Sequence, residues 1–194
     1  GAYHLTTAMC AVHRRQILAE IREVLASGSP CRVVSTSLIE AGVDIDFPRV
    51  LRAEAGLDSI AQAAGRCNRE GRYKRDISEV RIFATANEDW APPPELKQFA
   101  QATREVLRAH GEAPLAPAAI TAYFRLLYWQ KGPQELDKHD LLGQIETAQL
   151  DGLPFDMLEQ KYRLIENTQR SVIIPYDDRA RRAIADLSHA ERVG

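Results

Sequence analysis

The stretch that decides the fold is residues 32–48, R-V-V-S-T-S-L-I-E-A-G-V-D-I-D-F-P, followed by residues 62–69, Q-A-A-G-R-C-N-R. The first block opens with β-branched residues, which predict a buried strand over Arg32–Ser35. This strand runs into a loop that carries two acidic side chains, Asp44 and Asp46. Polar residues that follow a strand in an open parallel sheet lie where such sheets bind ligands.

The second block predicts a helix over residues 59–66 that ends in a loop. Arg66 and Arg69 are three positions apart, so on a helix they share one face. Two forked guanidinium groups on one face match a phosphate, because each offers paired donors and a fixed positive charge. The alternative is a solvated basic helix end.

Together the two blocks resemble motifs V and VI of superfamily 2 helicases, in the patterns S-T-S-x-x-x-x-G-x-D and Q-x-x-G-R-x-x-R. When His4-Leu-Thr-Thr and His13-Arg14 are included, the sequence resembles the CRISPR-associated helicase–nuclease of type I interference systems more closely than other superfamily 2 helicases. The resemblance is specific over residues 4–85. It is looser over residues 95–194, which look like the accessory C-terminal domain of that family.

The resemblance implies roles for individual residues. Arg66 and Arg69 would be arginine fingers, which stabilise the charge that develops during phosphoryl transfer. Asp44 would accept a hydrogen bond from the ribose, and Gly42 would allow the tight backbone of the loop. The residues expected to meet the nucleotide are Gln62, Gly42, Asp44 and Gly65. Ordinary turn chemistry is the alternative for Asp44 and Gly42.

A second group of residues is expected to hold the backbone of single-stranded DNA. Thr36 follows the predicted strand, so its hydroxyl and the local N–H groups suit a DNA phosphate. The full group is Thr36, Ser35, Thr6, Thr7 and Arg14. For Thr7 or its neighbour the alternative is N-capping of the helix that follows.

A nucleotide-hydrolysing lobe needs a phosphate loop, and the chain contains no Gly-Lys dipeptide. The predicted site is therefore composite. ATP with Mg²⁺ is expected to bind mainly to a first RecA-like lobe that is absent here, and this chain alone is predicted to be inactive. No metal site is predicted in the chain, and His139-Asp140 is interpreted as a helix start rather than as nuclease metal ligands.

Strands that alternate with helices predict the α/β class with a parallel sheet. We predict a second RecA-like lobe, incomplete at its N-terminus, over residues 1–89, a Pro-rich linker over 90–94 and a helical accessory region over 95–194. The predicted strands are residues 3–6, 31–35, 50–53, 80–84 and 171–174. The predicted helices are residues 8–27, 59–66, 95–110, 118–131, 138–149, 155–166 and 178–189. The aromatic residues at 123–129 are expected to lie in the core.

Composition limits the function classes. The formal net charge is −2, so nucleic-acid contacts must be local, and the densest basic run is residues 66–75. Three scattered cysteines and the lack of a long apolar run predict a cytoplasmic protein without membrane contact.

By resemblance, the chain is the C-terminal part of an ATP-dependent single-stranded DNA translocase or helicase with nuclease activity in antiviral defence. Its expected partners are single-stranded DNA, the type I CRISPR surveillance complex, and the first lobe and nuclease domain of the parent chain. Two alternatives stay open. One is another superfamily 2 DNA or RNA helicase, and the other is a stand-alone nucleic-acid-binding module without catalysis.

Overall fold

A computed structural model describes residues 1–40, 42–90, 92–148, 152–162 and 172–190, and it confirms the predicted α/β class. The strands are β1 (Ala2–Leu5), β2 (Arg32–Ser35), β3 (Arg49–Ala53) and β4 (Glu79–Phe83). The helices are α1 (Ala11–Ala26), α2 (Leu57–Ala64), α3 (Pro94–His110), α4 (Pro117–Leu136), α5 (Leu141–Thr147), α6 (Phe155–Lys161) and α7 (Asp178–Ala190). Short 3₁₀ turns lie at Ser37–Ile39 and Glu88–Trp90.

The strands pair in parallel, as predicted, but among the described residues they form two separate two-stranded sheets. In one sheet Leu5 of β1 lies opposite Ser35 of β2, and in the other Arg49 of β3 lies opposite Glu79 of β4. The prediction that β2 is buried is wrong, since Val34 is 70% exposed. Within the described part of the chain β2 pairs with β1 alone, so one of its edges has no strand partner.

The core of the first sheet comes from alternation in the loop after β2. Val43, Ile45 and Phe47 are buried together with Leu5 of β1 and Ile21 of α1. A period of two in an extended segment sends alternate side chains to opposite sides, so the same segment directs Asp44 and Asp46 away from this core. The apolar positions therefore fix the orientation of the two acids.

The described residues form two compact units. The first contains residues 1–100 and the described part of 172–194, and the second contains 101–171. By contact, then, the C-terminal segment groups with the first unit, whereas we predicted one helical region over 95–194. The predicted strand at 171–174 is wrong for residues 172–174, which form none, and residue 171 lies outside the described residues.

In the first unit the C-terminal segment returns to α1. The ring of Tyr176 stacks on His13 with 5.1 Å between the ring centroids. The Tyr176 hydroxyl donates to Gln16 Oε1 over 2.7 Å. One hydrogen bond therefore joins residues that are 160 positions apart, and one stacked pair joins Tyr176 to His13 on the same helix.

In the second unit α4 is interrupted at Gly132, which has φ 69° and ψ 167° and precedes Pro133. The aromatic prediction is right for Tyr123, which is fully buried, and wrong for Tyr128 and Trp129, which are exposed. Only one face of the helix packs in the core, and the rings of Tyr128 and Trp129 lie outside that face. No helix among the described residues has the length and apolar character needed to cross a membrane.

The remaining helix of interest, α5, begins three residues later than predicted. Asp140 stands at its N-cap position but makes no side-chain cap. Asp137 caps the helix instead, because its carboxylate accepts from the N–H groups of Leu141 at 2.7 Å and Leu142 at 2.8 Å. The predicted extension of α6 beyond Tyr162, over residues 163–166, lies outside the described residues.

Candidate nucleotide and nucleic-acid site

The two decisive blocks of sequence meet in space through their backbones. We call residues 35–40 with 42–47 the motif V segment and residues 65–73 the motif VI loop. Phe47 N–H donates to Arg66 O over 2.9 Å, and Asn68 N–H donates to Phe47 O over 2.8 Å. These two bonds form a parallel bridge between Phe47 and Cys67, so the loop is fixed against the segment.

The two acids of the motif V segment hold the loop from one side. Asp46 Oδ1 accepts the backbone N–H of Arg69 over 2.7 Å. Asp44 Oδ1 lies 2.5 Å from Arg69 Nη1 in an ion pair. The carbonyl of Asp44 accepts in turn from Arg22 Nε of α1 over 3.2 Å. The acids that alternation turns away from the core therefore organise the loop that carries the arginines.

The prediction that Arg66 and Arg69 share a helical face is wrong. Helix α2 ends at Ala64, with Gly65 at its C-cap, so both arginines lie in the motif VI loop. The chain turns tightly there, since Arg66 N–H donates to Ala63 O and Cys67 N–H donates to Ala64 O. These short-range bonds replace the next helical turn.

Arg66 is anchored on the motif V segment. Its Nε donates to Ile39 O over 3.0 Å and its Nη2 donates to Glu40 O over 2.7 Å. Both carbonyls lie at the end of the 3₁₀ turn Ser37–Ile39. One edge of the guanidinium is thus occupied, and among the described residues no hydrogen bond engages Nη1.

A polar cluster that the sequence interpretation missed lies behind these carbonyls. Glu40 Oε1 is 2.9 Å from Arg52 Nη2, and Ser59 Oγ donates to Glu40 Oε2 over 2.8 Å. Arg52 Nη2 also donates to Ser59 Oγ over 2.7 Å. The Glu40–Arg52 pair is partly buried, with the side chains 10% and 25% exposed. The partners of Glu40 on β3 and α2 are not readable from the chain.

Three of the predicted DNA-contact residues, Thr6, Ser35 and Thr36, lie at one edge of the first sheet. Leu5 and Ser35 are register partners at the ends of parallel strands, and Thr36 N–H donates to Leu5 O over 3.1 Å. Thr6 and Thr36 therefore follow neighbouring strands at the same edge. Thr36 Oγ1 accepts the N–H of Leu38 over 3.5 Å, and Ser35 Oγ donates to Thr36 O over 2.9 Å.

The N-capping alternative for Thr7 or its neighbour is wrong, because neither residue stands at the start of a helix. Helix α1 begins at Ala11, and its N-cap residue, Cys10, makes no side-chain cap. Thr6 Oγ1 accepts the N–H of Ala8 over 3.3 Å in the preceding turn. Arg14 lies in the first turn of α1 and is half-buried.

The residues predicted to contact the nucleotide lie in different local environments. Gln62 is exposed on α2. Gly42 has φ +70°, a left-handed conformation that explains the glycine. Gly65 has an ordinary helical φ of −64°, and its constraint is space, because a Cβ there would lie 3.3 Å from Gln62 O.

The motif VI loop is also closed by its own side chains. Asn68 adopts φ 48° and exchanges two hydrogen bonds with the backbone of Tyr73, at 2.9 and 3.0 Å. Burial raises the pKa of the Cys67 thiol, which keeps the group neutral and able to donate weakly to Pro48 O over 3.4 Å. Beyond the loop centre, Arg72 is paired with Glu70.

Known proteins resemble the part of the chain that carries these residues. Residues 2–72 match the family described as CRISPR-associated nuclease/helicase Cas3, C-terminal. The chain is 44% identical over 80 residues to the CRISPR-associated nuclease/helicase Cas3 of Haloferax volcanii, covering 41% of this chain and 8% of that protein. The predicted resemblance is confirmed for the part of the chain that these comparisons cover.

Solved structures support the fold. The T. fusca Cas3–AMPPNP structure aligns with a TM-score of 0.53 at 20% identity, over 73% of this chain and 19% of that one. The T. fusca Cas3–ADP structure gives 0.50 at 21% identity, over 75% and 18%. The chain therefore spans less than a fifth of these relatives.

Proposed function

We propose that this chain supplies the second half of a composite ATP site in a CRISPR-associated, DNA-stimulated helicase–nuclease. The observation that carries the proposal is the backbone bridge between Phe47 and Cys67, which joins the motif V segment to the motif VI loop. The bridge joins the loop that carries the arginines to the segment that begins, with Ser35 and Thr36, at the predicted DNA-contact edge.

The charged groups of this site suit a phosphate. Arg66 keeps Nη1 without a hydrogen bond among the described residues, while Nε and Nη2 fix its position. Arg69 is held by an ion pair in which Arg69 is 46% and Asp44 74% exposed. Such pairs contribute little to stability, so Arg69 can leave Asp44 for an anion at small cost. The residues therefore fit the phosphate side of a bound nucleotide.

In this proposal ATP, with Mg²⁺ held by the other lobe, supplies the phosphoryl group. Arg66 and Arg69 lower the barrier by placing fixed positive charge where the transition state develops negative charge. Gln62, Gly42, Asp44 and Gly65 line the nucleotide side. Because no phosphate loop lies in this chain, the arginines act only when the two lobes meet.

The DNA side of the proposal uses the edge of the first sheet. Ser35, Thr36, Thr6, Thr7 and Arg14 offer hydroxyl, amide and guanidinium donors to the phosphates of single-stranded DNA. A local set of contacts is consistent with the net charge of −2. In the complete protein this strand would be delivered by the type I surveillance complex and cut by the nuclease domain.

The decisive experiment is single-turnover ATP hydrolysis by the complete protein with single-stranded DNA. Arg69→Lys keeps the charge but loses the fork, and we expect a loss toward the range of about 10³ to 10⁵ typical of arginine fingers. Nucleotide affinity should fall much less, since the contact strengthens in the transition state. Arg72→Lys, at an exposed pair in the same loop, is the matched control and should keep its rate.

Arg66→Lys should lower the hydrolysis rate to a similar extent. Lysine lacks the forked contact with the phosphate, and it cannot make both hydrogen bonds to the carbonyls of Ile39 and Glu40. Near-normal rates for both Arg66→Lys and Arg69→Lys would reduce the two arginines to surface residues. DNA-stimulated hydrolysis by this chain alone would contradict the composite site.

The alternatives give different results. A helicase that acts on RNA would show stimulation by single-stranded RNA in the same assay. A stand-alone binding module would bind nucleic acid without any nucleotide effect. For this chain alone we expect weak, salt-sensitive DNA binding, with a slope of about 0.7 per phosphate contact.

A further inference from the structure

We propose that Glu40 is a positioning residue for Arg66, a role that rests on the proposed function of Arg66. The Glu40 side chain is only 10% exposed, and its carboxylate is held by Arg52 of β3 and Ser59 of α2. The backbone carbonyl of the same residue accepts the Arg66 guanidinium. One residue thus joins the polar cluster to the arginine.

The geometry fixes both ends of the Arg66 contact. Ser59 lies in the first turn of α2, and Arg66 follows that helix by two residues. Glu40 is the C-cap residue of the 3₁₀ turn whose end presents the acceptor carbonyls. The hydrogen bond between Glu40 and Ser59 therefore fixes helix α2, which precedes Arg66, relative to the two carbonyls that Arg66 contacts.

Energetics argue that this cluster serves register more than stability. Taking two charges out of water costs more than a good ion pair reliably returns. The Arg52 Nε atom is buried and has no hydrogen-bond partner among the described residues, which adds a further penalty. An apolar pair would fill the same place without either penalty. What an apolar pair cannot do is fix three elements through directional bonds.

The first test reads Arg66 directly and needs no activity. In ¹⁵N-labelled chain, the Nε–H proton of Arg66 should exchange slowly with water because it donates to Ile39 O; Arg66→Lys identifies its signal. In Glu40→Gln we expect exchange to accelerate about five- to tenfold, the scale of one lost hydrogen bond. Glu20→Gln, an exposed carboxylate on α1, should leave exchange unchanged.

A second variant separates positioning from folding. Glu40→Leu with Arg52→Met removes the pair without leaving a buried charge, which favours a folded protein. Fast Arg66 exchange with a normal melting temperature supports positioning. If the Nε–H stays protected in this double variant or in Glu40→Gln, the Glu40 side chain does not position Arg66 and the inference is wrong.

The last arm uses the complete protein. Glu40→Gln should lower kcat of DNA-stimulated hydrolysis by about ten- to 10²-fold, the cost of small misplacements, with the KM for ATP within about twofold of wild type. A raised KM at normal kcat would contradict positioning. If the wild-type protein shows no DNA-stimulated hydrolysis, the proposed function fails, while Arg66 exchange still decides the structural claim.

Discussion

Asp44 and Arg69, 25 residues apart in the chain, form an ion pair in which Asp44 Oδ1 lies 2.5 Å from Arg69 Nη1. The sequence interpretation gave the two residues separate contacts, one to the ribose and one to a phosphate. In this structure each neutralises the other. Under the proposed function, a bound phosphate replaces Asp44 at Arg69 at small cost, because the pair is exposed.

We predict that Asp44→Asn changes the free energy of unfolding by less than about 1 kcal/mol, because both partners are solvent-exposed. Urea unfolding of the chain measures this change. Glu70→Gln, which opens the neighbouring exposed pair with Arg72, is the control and should behave alike. A loss of several kcal/mol in Asp44→Asn alone would show that the carboxylate is needed for folding.

We predict that Thr36→Ala in the complete protein weakens DNA stimulation of ATP hydrolysis more than it weakens ATP binding. The hydroxyl lies at the start of the 3₁₀ turn and at the sheet edge, makes no hydrogen bond with either arginine among the described residues, and accepts from Leu38 N–H over a long 3.5 Å. Nucleotide and DNA titrations separate the two effects. Thr36→Ser, which keeps the hydroxyl, should retain most of the stimulation, and reduced ATP affinity with normal stimulation would contradict the assignment.

We predict that Tyr176→Phe loosens the C-terminal segment from α1 by about 0.5 to 1 kcal/mol, the low end for a hydrogen bond because this one is exposed. The stack on His13 is retained in phenylalanine. Hydrogen exchange of residues 172–177 gives the measurement. Tyr176→Ala should loosen the segment further, and equal exchange in all three proteins would show that the segment does not depend on this contact.

We predict that acid loosens the start of α5. The N–H groups of Leu141 and Leu142 hold the pKa of the Asp137 carboxyl below its ordinary value of 3.8. A group with a lowered folded pKa stabilises the fold above its unfolded pKa, and this contribution is lost as the pH falls through the folded pKa. The window is therefore below about pH 4.

Amide exchange at Leu141 and Leu142, followed against pH, measures the effect. Asp137→Asn should remove the pH dependence and leave faster exchange above pH 4. Asp140→Asn is the matched control, since Asp140 makes no side-chain cap. Should the control rather than Asp137→Asn abolish the pH dependence, the cap has been assigned to the wrong acid.

Sequence alone determined the parts of this protein that depend on local pattern. The alternation of Val43, Ile45 and Phe47 specifies which side of the segment faces a core, because successive side chains of an extended chain point to opposite sides. Gly42 marks a left-handed backbone, since other residues pay a steric cost there. The residues of motifs V and VI were enough to identify the resemblance to a family.

Only the tertiary structure decided how the arginines are held. Whether α2 continues to Arg66 depends on competition between the next helical bonds and the bonds that Phe47 offers from another part of the chain. The partners of Glu40 lie 12 and 19 residues away on separate elements. The periodicity of apolar residues indicates which positions are buried. Which charged residue pairs with Glu40 depends on distances that arise only after the elements pack. The contact of Tyr176 with α1 likewise depends on the tertiary structure and is not visible in the local sequence pattern.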